Sequence, residues 1–138
     1  MPAKKSNIFN VAPQRILIID DNQDFLDIFS TKLRMEGFEV ATAKSGVGGI
    51  EAAKQFKPDL ILLDFEMPEM NGVETLSKLK EDPLTSGFRV CFLTMYGESQ
   101  KDISWTDEKF AREAGAMDFI KKGDDLGAVV GEVKKILK

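Results

Sequence analysis

Three apolar runs in this chain show no alternation, and each one ends at a polar residue. Ile16-Leu17-Ile18-Ile19 runs into Asp20-Asp21, Leu60-Ile61-Leu62-Leu63 into Asp64, and Val90-Cys91-Phe92-Leu93 into Thr94. A strand wetted on one side alternates apolar with polar residues, whereas an unbroken run of four is a strand buried on both faces. Such strands belong to parallel sheets, whose crossover connections lay helices over both faces.

The segments between the runs change period. Over residues 23–36, Phe25, Leu26, Ile28, Phe29, Leu33 and Met35 mostly recur at helical spacing, and Gly37 supplies a stop. Residues 39–43 are a short second strand. Ser45 caps the next helix, whose first turn is weakened by Gly46, Gly48 and Gly49, and Ile50, Ala53 and Phe56 give it a modest apolar face. Pro58 follows, then the third strand over 60–65. Glu66-Met67-Pro68-Glu69-Met70-Asn71-Gly72 loops into a helix lined by Val73, Leu76 and Leu79. Residues 83–87 connect to a fourth strand over 88–94. After an irregular stretch over 95–104, a helix is predicted over 106–114, with Phe110 inward and Gly115 as its stop. A fifth strand covers 117–121, and a last helix over 124–137 buries Leu126, Val129, Val130, Val133, Ile136 and Leu137. Five strands joined by helical crossovers predict one α/β domain over 15–138, with helices on both faces of a parallel sheet. Residues 1–14 read as a flexible N-terminal extension. No linker, repeat or output module is expected within the 138 residues.

The composition narrows the function. A net charge of -4 gives no general argument for nucleic acid, and no direct nucleic-acid binding is expected. No apolar stretch approaches the ~20 residues that span a bilayer, so no membrane insertion is expected. The single cysteine, Cys91, cannot form an internal disulfide and reads as a small buried hydrophobe in a cytoplasmic protein. The chain contains no histidine, which removes His-based triads and any internal phosphohistidine. Ser45-Gly46-Val47-Gly48-Gly49 lacks the Lys-Ser/Thr ending of a phosphate-binding loop and reads as a loose helix start.

The carboxyl ends of parallel strands share one edge of the sheet, where such folds build their sites. That edge brings together Asp20, Asp21, Asp64, Thr94 and Lys122, the last lying just beyond Phe119-Ile120. Three carboxylates make a hard oxygen site suited to Mg²⁺. One carboxylate can act as a nucleophile while a metal screens its repulsion from an incoming phosphoryl group. An ammonium and a hydroxyl can hold the remaining phosphoryl oxygens. Asp64, alone at the end of the central strand, is the candidate nucleophile. Asp20 and Asp21 are candidate metal ligands, although Asp21 by itself also fits a cap of the first helix.

In order and spacing, several motifs together resemble the receiver domains of two-component response regulators. They are Ile16-Leu17-Ile18-Ile19-Asp20-Asp21-Asn22, Asp59-Leu60-Ile61-Leu62-Leu63-Asp64-Phe65-Glu66-Met67-Pro68-Glu69-Met70-Asn71-Gly72, Phe92-Leu93-Thr94, and Gly115-Ala116-Met117-Asp118-Phe119-Ile120-Lys121-Lys122. The resemblance covers residues 15 to about 137 and is nearest in size to stand-alone, chemotaxis-type (CheY-like) members. It implies a flavodoxin-like doubly wound (βα)5 fold, with a five-stranded parallel sheet in order 2-1-3-4-5. It also implies a Mg²⁺-dependent phosphoacceptor that is not a turnover enzyme. Such a domain takes phosphate from a histidine kinase or histidine phosphotransfer protein and then switches its binding to a downstream effector protein, as a monomer or weak dimer. By this resemblance Asp64 is the acceptor. Asp20, Asp21, Asp64 and the carbonyl of Glu66 hold Mg²⁺, Thr94 and Lys122 contact the phosphoryl group, and Thr94 and Phe119 form the switch. The family places its aromatic three residues before the lysine, which selects Lys122 over Lys121.

The chain also departs from the family. Gly123 follows the lysine where a proline, often cis, is usual, and Met95 follows Thr94 where a small residue is common. Glu66 and Tyr96 stand where the family tunes access of hydrolytic water. The span from Thr94 to Lys122 is some six residues longer than in the shortest members, with the excess in 96–105, around the only tryptophan, Trp105. A phosphorylation-independent pseudo-receiver is the competing binding module. An aspartyl-phosphate phosphohydrolase of the haloacid-dehalogenase kind is the competing enzyme. The second fits poorly, because Glu66 stands where such enzymes carry a second aspartate.

Overall fold

The computed structural model describes residues 12–95, 116, 118–122 and 125–138. Strands β1 (Arg15–Ile19), β2 (Glu39–Ala43), β3 (Leu60–Asp64), β4 (Val90–Met95) and β5 (Asp118–Lys122) form one parallel sheet in the order β2-β1-β3-β4-β5. Helix α1 (Gln23–Met35) follows β1, α2 (Gly46–Phe56) follows β2, α3 (Gly72–Glu81) follows β3, and a C-terminal helix spans Leu126–Leu137. This is the doubly wound order expected. The extension over 96–105 with Tyr96 and Trp105, the helix over 106–114, Gly123 and residues 1–11 lie outside the described residues.

Strand alternation divides the interior into two cores. Ile16, Ile18, Leu60, Leu62, Cys91, Leu93 and Ile120 face α1 and the C-terminal helix. Leu17, Ile19, Ile61, Leu63, Val90 and Phe92 face α2 and α3. The two central strands are sealed on both sides: Ile16–Ile19 and Leu60–Leu63 are all 0% exposed. Burying an aliphatic side chain of this size stabilises the fold by roughly 1.5–3 kcal/mol, so the unbroken runs dominate the energetics. β2, at the sheet's edge, has no fully buried residue. Cys91 is a buried thiol, as expected.

Side-chain caps fix where α1, α2 and α3 begin. Asn22, not Asp21, caps α1, its Oδ1 accepting from Phe25 N at 3.0 Å. Ser45 Oγ accepts from Gly48 N at 3.0 Å. At α3, Asn71 Oδ1 accepts from Glu74 N while Glu74 Oε1 accepts from Asn71 N, a reciprocal box the sequence reading passed over. Gly37 has φ +100°, the left-handed stop of α1.

The glycines at the start of α2 do more than loosen a turn. A Cβ on Gly49 would lie 2.4 Å from Ile19 Cδ1, and one on Gly46 would lie 2.3 Å from Thr75 Oγ1. Their missing side chains let α2 lie close against β1 and α3. The fifth strand is shifted one residue from its expected bounds, so Lys122 lies within it, opposite Met95.

Candidate functional site

The same alternation sorts the site residues. Asp64 and Lys122 share parity with the residues facing α1, and Asp20 continues that parity beyond β1. Thr94 and Phe119 share parity with the opposite core. The acidic chemistry thus lies toward α1, and the expected switch residues lie across the sheet.

Asp20, Asp21 and Asp64 each offer a carboxylate oxygen, all within 4.8 Å of one another. Asp20 is fully buried, Asp64 is 7% exposed and Asp21 is open to solvent. Asp20 Oδ1 accepts from Asn22 N at 2.9 Å, which turns the carboxylate across the end of β1. Its Oδ2 lies 2.5 Å from Lys122 Nζ. That ion contact is not aligned as a hydrogen bond, and the buried oxygen has no aligned donor among the described residues. Lys122 is 8% exposed, and its Nζ is 3.9 Å from Asp64 Oδ1. The ammonium therefore sits closer to Asp20 than to the expected nucleophile. Asp64 Oδ1 accepts a long 3.4 Å bond from Glu66 N.

Burial raises the Asp64 carboxyl from 3.8 to about 7, with the neighbouring Asp20 adding to the rise and Lys122 opposing it. Desolvation exceeds the help of the cation because Lys122 is engaged mainly by Asp20.

Among the described residues, three close carboxylates against one ammonium leave an excess of negative charge once all are ionised. An open, exposed ligand at Asp21 and a buried Asp20 oxygen without an aligned donor fit a hard divalent cation. The Glu66 side chain is exposed and outside this cluster, and its N–H rather than its carboxylate touches Asp64.

Thr94 is 5% exposed on β4, one residue beyond Leu93, the register partner of Asp64. Phe119 is half-buried. Its ring centroid lies 5.3 Å from that of Phe92 and 5.8 Å from that of Phe65, and Phe65 meets Phe92 edge-on at 5.2 Å. Phe65, the residue after Asp64, thus joins the backbone of the nucleophile candidate to the ring of the switch candidate. Gly72 holds the loop between them shut. Its N–H donates to Phe65 O at 3.1 Å, and a Cβ there would lie 2.5 Å from Asp64 O.

Residues 16–134 match the response regulator receiver domain family. The chain belongs to this family. The receiver domain is 35% identical over 124 residues to the DNA-binding dual master transcriptional regulator RpaA of Synechocystis, a match covering 90% of this chain and 49% of that protein. It is 35% identical over 128 residues to the transcriptional regulatory protein PrrA of Mycobacterium bovis, covering 93% of this chain and 52% of the relative. The chain spans about half the length of these curated relatives. Among solved structures it is similar to a CheY-like receiver domain protein from Methanospirillum hungatei, with TM-score 0.77 and 30% identity over 91% of this chain and 94% of that one. A response regulator from Chloroflexus aurantiacus matches with TM-score 0.75 and 29% identity, over 91% and 98% of the two chains.

The receiver domain's acidic cluster suits Mg²⁺-dependent aspartyl phosphorylation in two-component signalling. It is a signalling module and not a turnover enzyme, which sets aside the phosphohydrolase reading. Sequence reasoning named the members of the cluster. It missed Phe25, whose ring lies under Lys122 Nζ at 4.4 Å from the centroid. The only local signal for Phe25 was an aromatic in the first turn of α1.

Proposed function

We propose that Asp64 is the phosphoacceptor of this receiver domain. The observation that carries the reading is the meeting of Asp20, Asp21 and Asp64 within 4.8 Å, with Lys122 reaching both Asp20 and Asp64. Asp20, Asp21, Asp64 and the Glu66 carbonyl would hold Mg²⁺. When bound, the metal would screen the carboxylate charge and polarise the phosphoryl oxygens. Asp64 attacks phosphorus in line, so that a P–O bond forms as the P–N bond to a donor phosphohistidine breaks. The Lys122 ammonium is close enough to exchange part of its contact with Asp20 for one with a phosphoryl oxygen on Asp64. Thr94, on the opposite face, turns toward the same group, and the Phe65–Phe92–Phe119 cluster carries the rearrangement to the far side of β4 and β5.

The domain occupies residues 15–138, with 1–14 as an extension, and works in the cytoplasm as a monomer or weak dimer. Its donors are a histidine kinase or a histidine phosphotransfer protein. Output is carried by an effector, either a separate protein or further chain beyond these residues.

The test is intact mass after incubation with acetyl phosphate, with and without Mg²⁺, on the parent and on Asp64→Asn. A Mg²⁺-dependent gain of one phosphoryl group, absent from the variant, is the expected result. A parent that gains nothing from acetyl phosphate or from competent phosphohistidine donors overturns the reading in favour of a phosphorylation-independent binding module.

A further inference from the structure

Among the described residues, three groups of two kinds lie close to the Lys122 ammonium. Two are carboxylates, Asp20 Oδ2 at 2.5 Å and Asp64 Oδ1 at 3.9 Å, and the third is the face of Phe25 at 4.4 Å. Close as it is, the contact with Asp20 is not aligned as a hydrogen bond. Asp20 supplies the nearest opposite charge. A ring face within about 6 Å of an ammonium adds attraction with a preferred direction, because the quadrupole is strongest over the centre of the ring.

The ring is held from two sides. The N–H of Phe25 is the one that the α1 cap engages, donating to Asn22 Oδ1 at 3.0 Å, so the residue's backbone is fixed directly after the acidic pair. Its ring stacks on Phe29, with centroids 5.2 Å apart and planes at 25°, and Phe29 is fully buried. The plane that Phe25 presents to Lys122 is thereby set by the core.

We propose that Phe25 is a positioning residue, whose ring face holds the Lys122 ammonium against Asp20 and within reach of Asp64. This rests on the phosphoacceptor reading for its consequence, but not for its geometry. Without the ring, the four-carbon stem of Lys122 samples rotamers that take the charge away from Asp64. Phosphorylation then slows, since the cation must be in place as charge builds on the phosphoryl oxygens.

Two measurements test it. In metal-free protein, the Lys122 Hε resonances, assigned with Lys122→Arg, are expected upfield of an ordinary lysine by the Phe25 ring current. Phe25→Leu should return them to ordinary values. In Mg²⁺ with acetyl phosphate, Phe25→Leu is expected to slow phosphorylation about twofold to thirtyfold, the range of a cation–π contact. Phe25→Tyr, which keeps the π face, should restore the rate. Replacing Phe25 by mono-, di- and trifluorophenylalanine keeps the packing and weakens the quadrupole, so the rate should fall stepwise. In a Lys122→Met background the same exchanges should change nothing further. Ordinary Lys122 shifts in the parent, or a rate flat across the fluorinated series, would reduce Phe25 to a packing residue. If the parent accepts no phosphoryl group, the phosphoacceptor reading falls, and the lysine resonances alone decide the positioning.

Discussion

Asp64→Asn should stabilise the metal-free domain, and by an amount that depends on pH in a defined way. In the folded chain the carboxyl is raised from 3.8 to about 7, chiefly by burial and then by Asp20. Between those two values the folded state keeps a proton that the unfolded chain has released. Stability must then fall as pH rises, by about 1.4 kcal/mol per pH unit for one such proton. The penalty is absent below about pH 4, grows to about 4 kcal/mol by neutrality, and is constant above it. Asparagine has no proton to lose, so it escapes this penalty at every pH. Urea unfolding with chelator present, at intervals from pH 4.5 to 8.5, gives the difference between parent and variant. That difference should widen in favour of Asp64→Asn up to about pH 7 and then level off. Added Mg²⁺ should shrink it, because a cation at the cluster favours the ionised carboxylate. A difference that stays constant from pH 4.5 to 8.5 would refute the argument, since it would mean that Asp64 carries no buried charge penalty.

Gly72→Ala should destabilise the fold by about 1–3 kcal/mol in urea and slow phosphorylation, because the new Cβ meets backbone at Asp64 O (2.5 Å) and Phe65 Cα (2.9 Å), neither of which can swing aside. Asn71→Ala breaks the reciprocal cap of α3 and should cost about 1 kcal/mol in the same assay, with phosphorylation little changed. Lys122→Met leaves Asp20 buried without its cation, so its thermal midpoint in chelator should drop well below the parent's, with Mg²⁺ restoring more stability to the variant than to the parent.

Much of the sheet was legible locally. Runs such as Ile16–Ile19 and Leu60–Leu63 suit burial on both faces, which a covered parallel sheet offers. Parallel strands must end on a common edge, so Asp20, Asp21, Asp64, Thr94 and Lys122 could be gathered before any coordinates were known. The resemblance to the receiver family favoured Lys122 over Lys121, through the family's spacing from Phe119. Local signals left two readings for Asp21, a metal ligand or a helix cap, and Asn22 is the residue that makes the cap. Gly46 and Gly49 looked like poor helix formers, because nothing in their own segment shows that Thr75, Met70 and Ile19 crowd against them.

Residue identities and strand periodicity therefore pointed to a covered parallel sheet and to the edge that gathers these side chains, while the family resemblance supplied the strand order. The tertiary structure decided how those residues share charge: Lys122 against Asp20 more than Asp64, Asp64 held near neutrality, and Phe25 set beneath the ammonium. The reason is physical. Periodicity is a property of neighbours along the chain, whereas Coulomb attraction, desolvation and ring contact depend on distances across strands, and those exist only once both cores have closed.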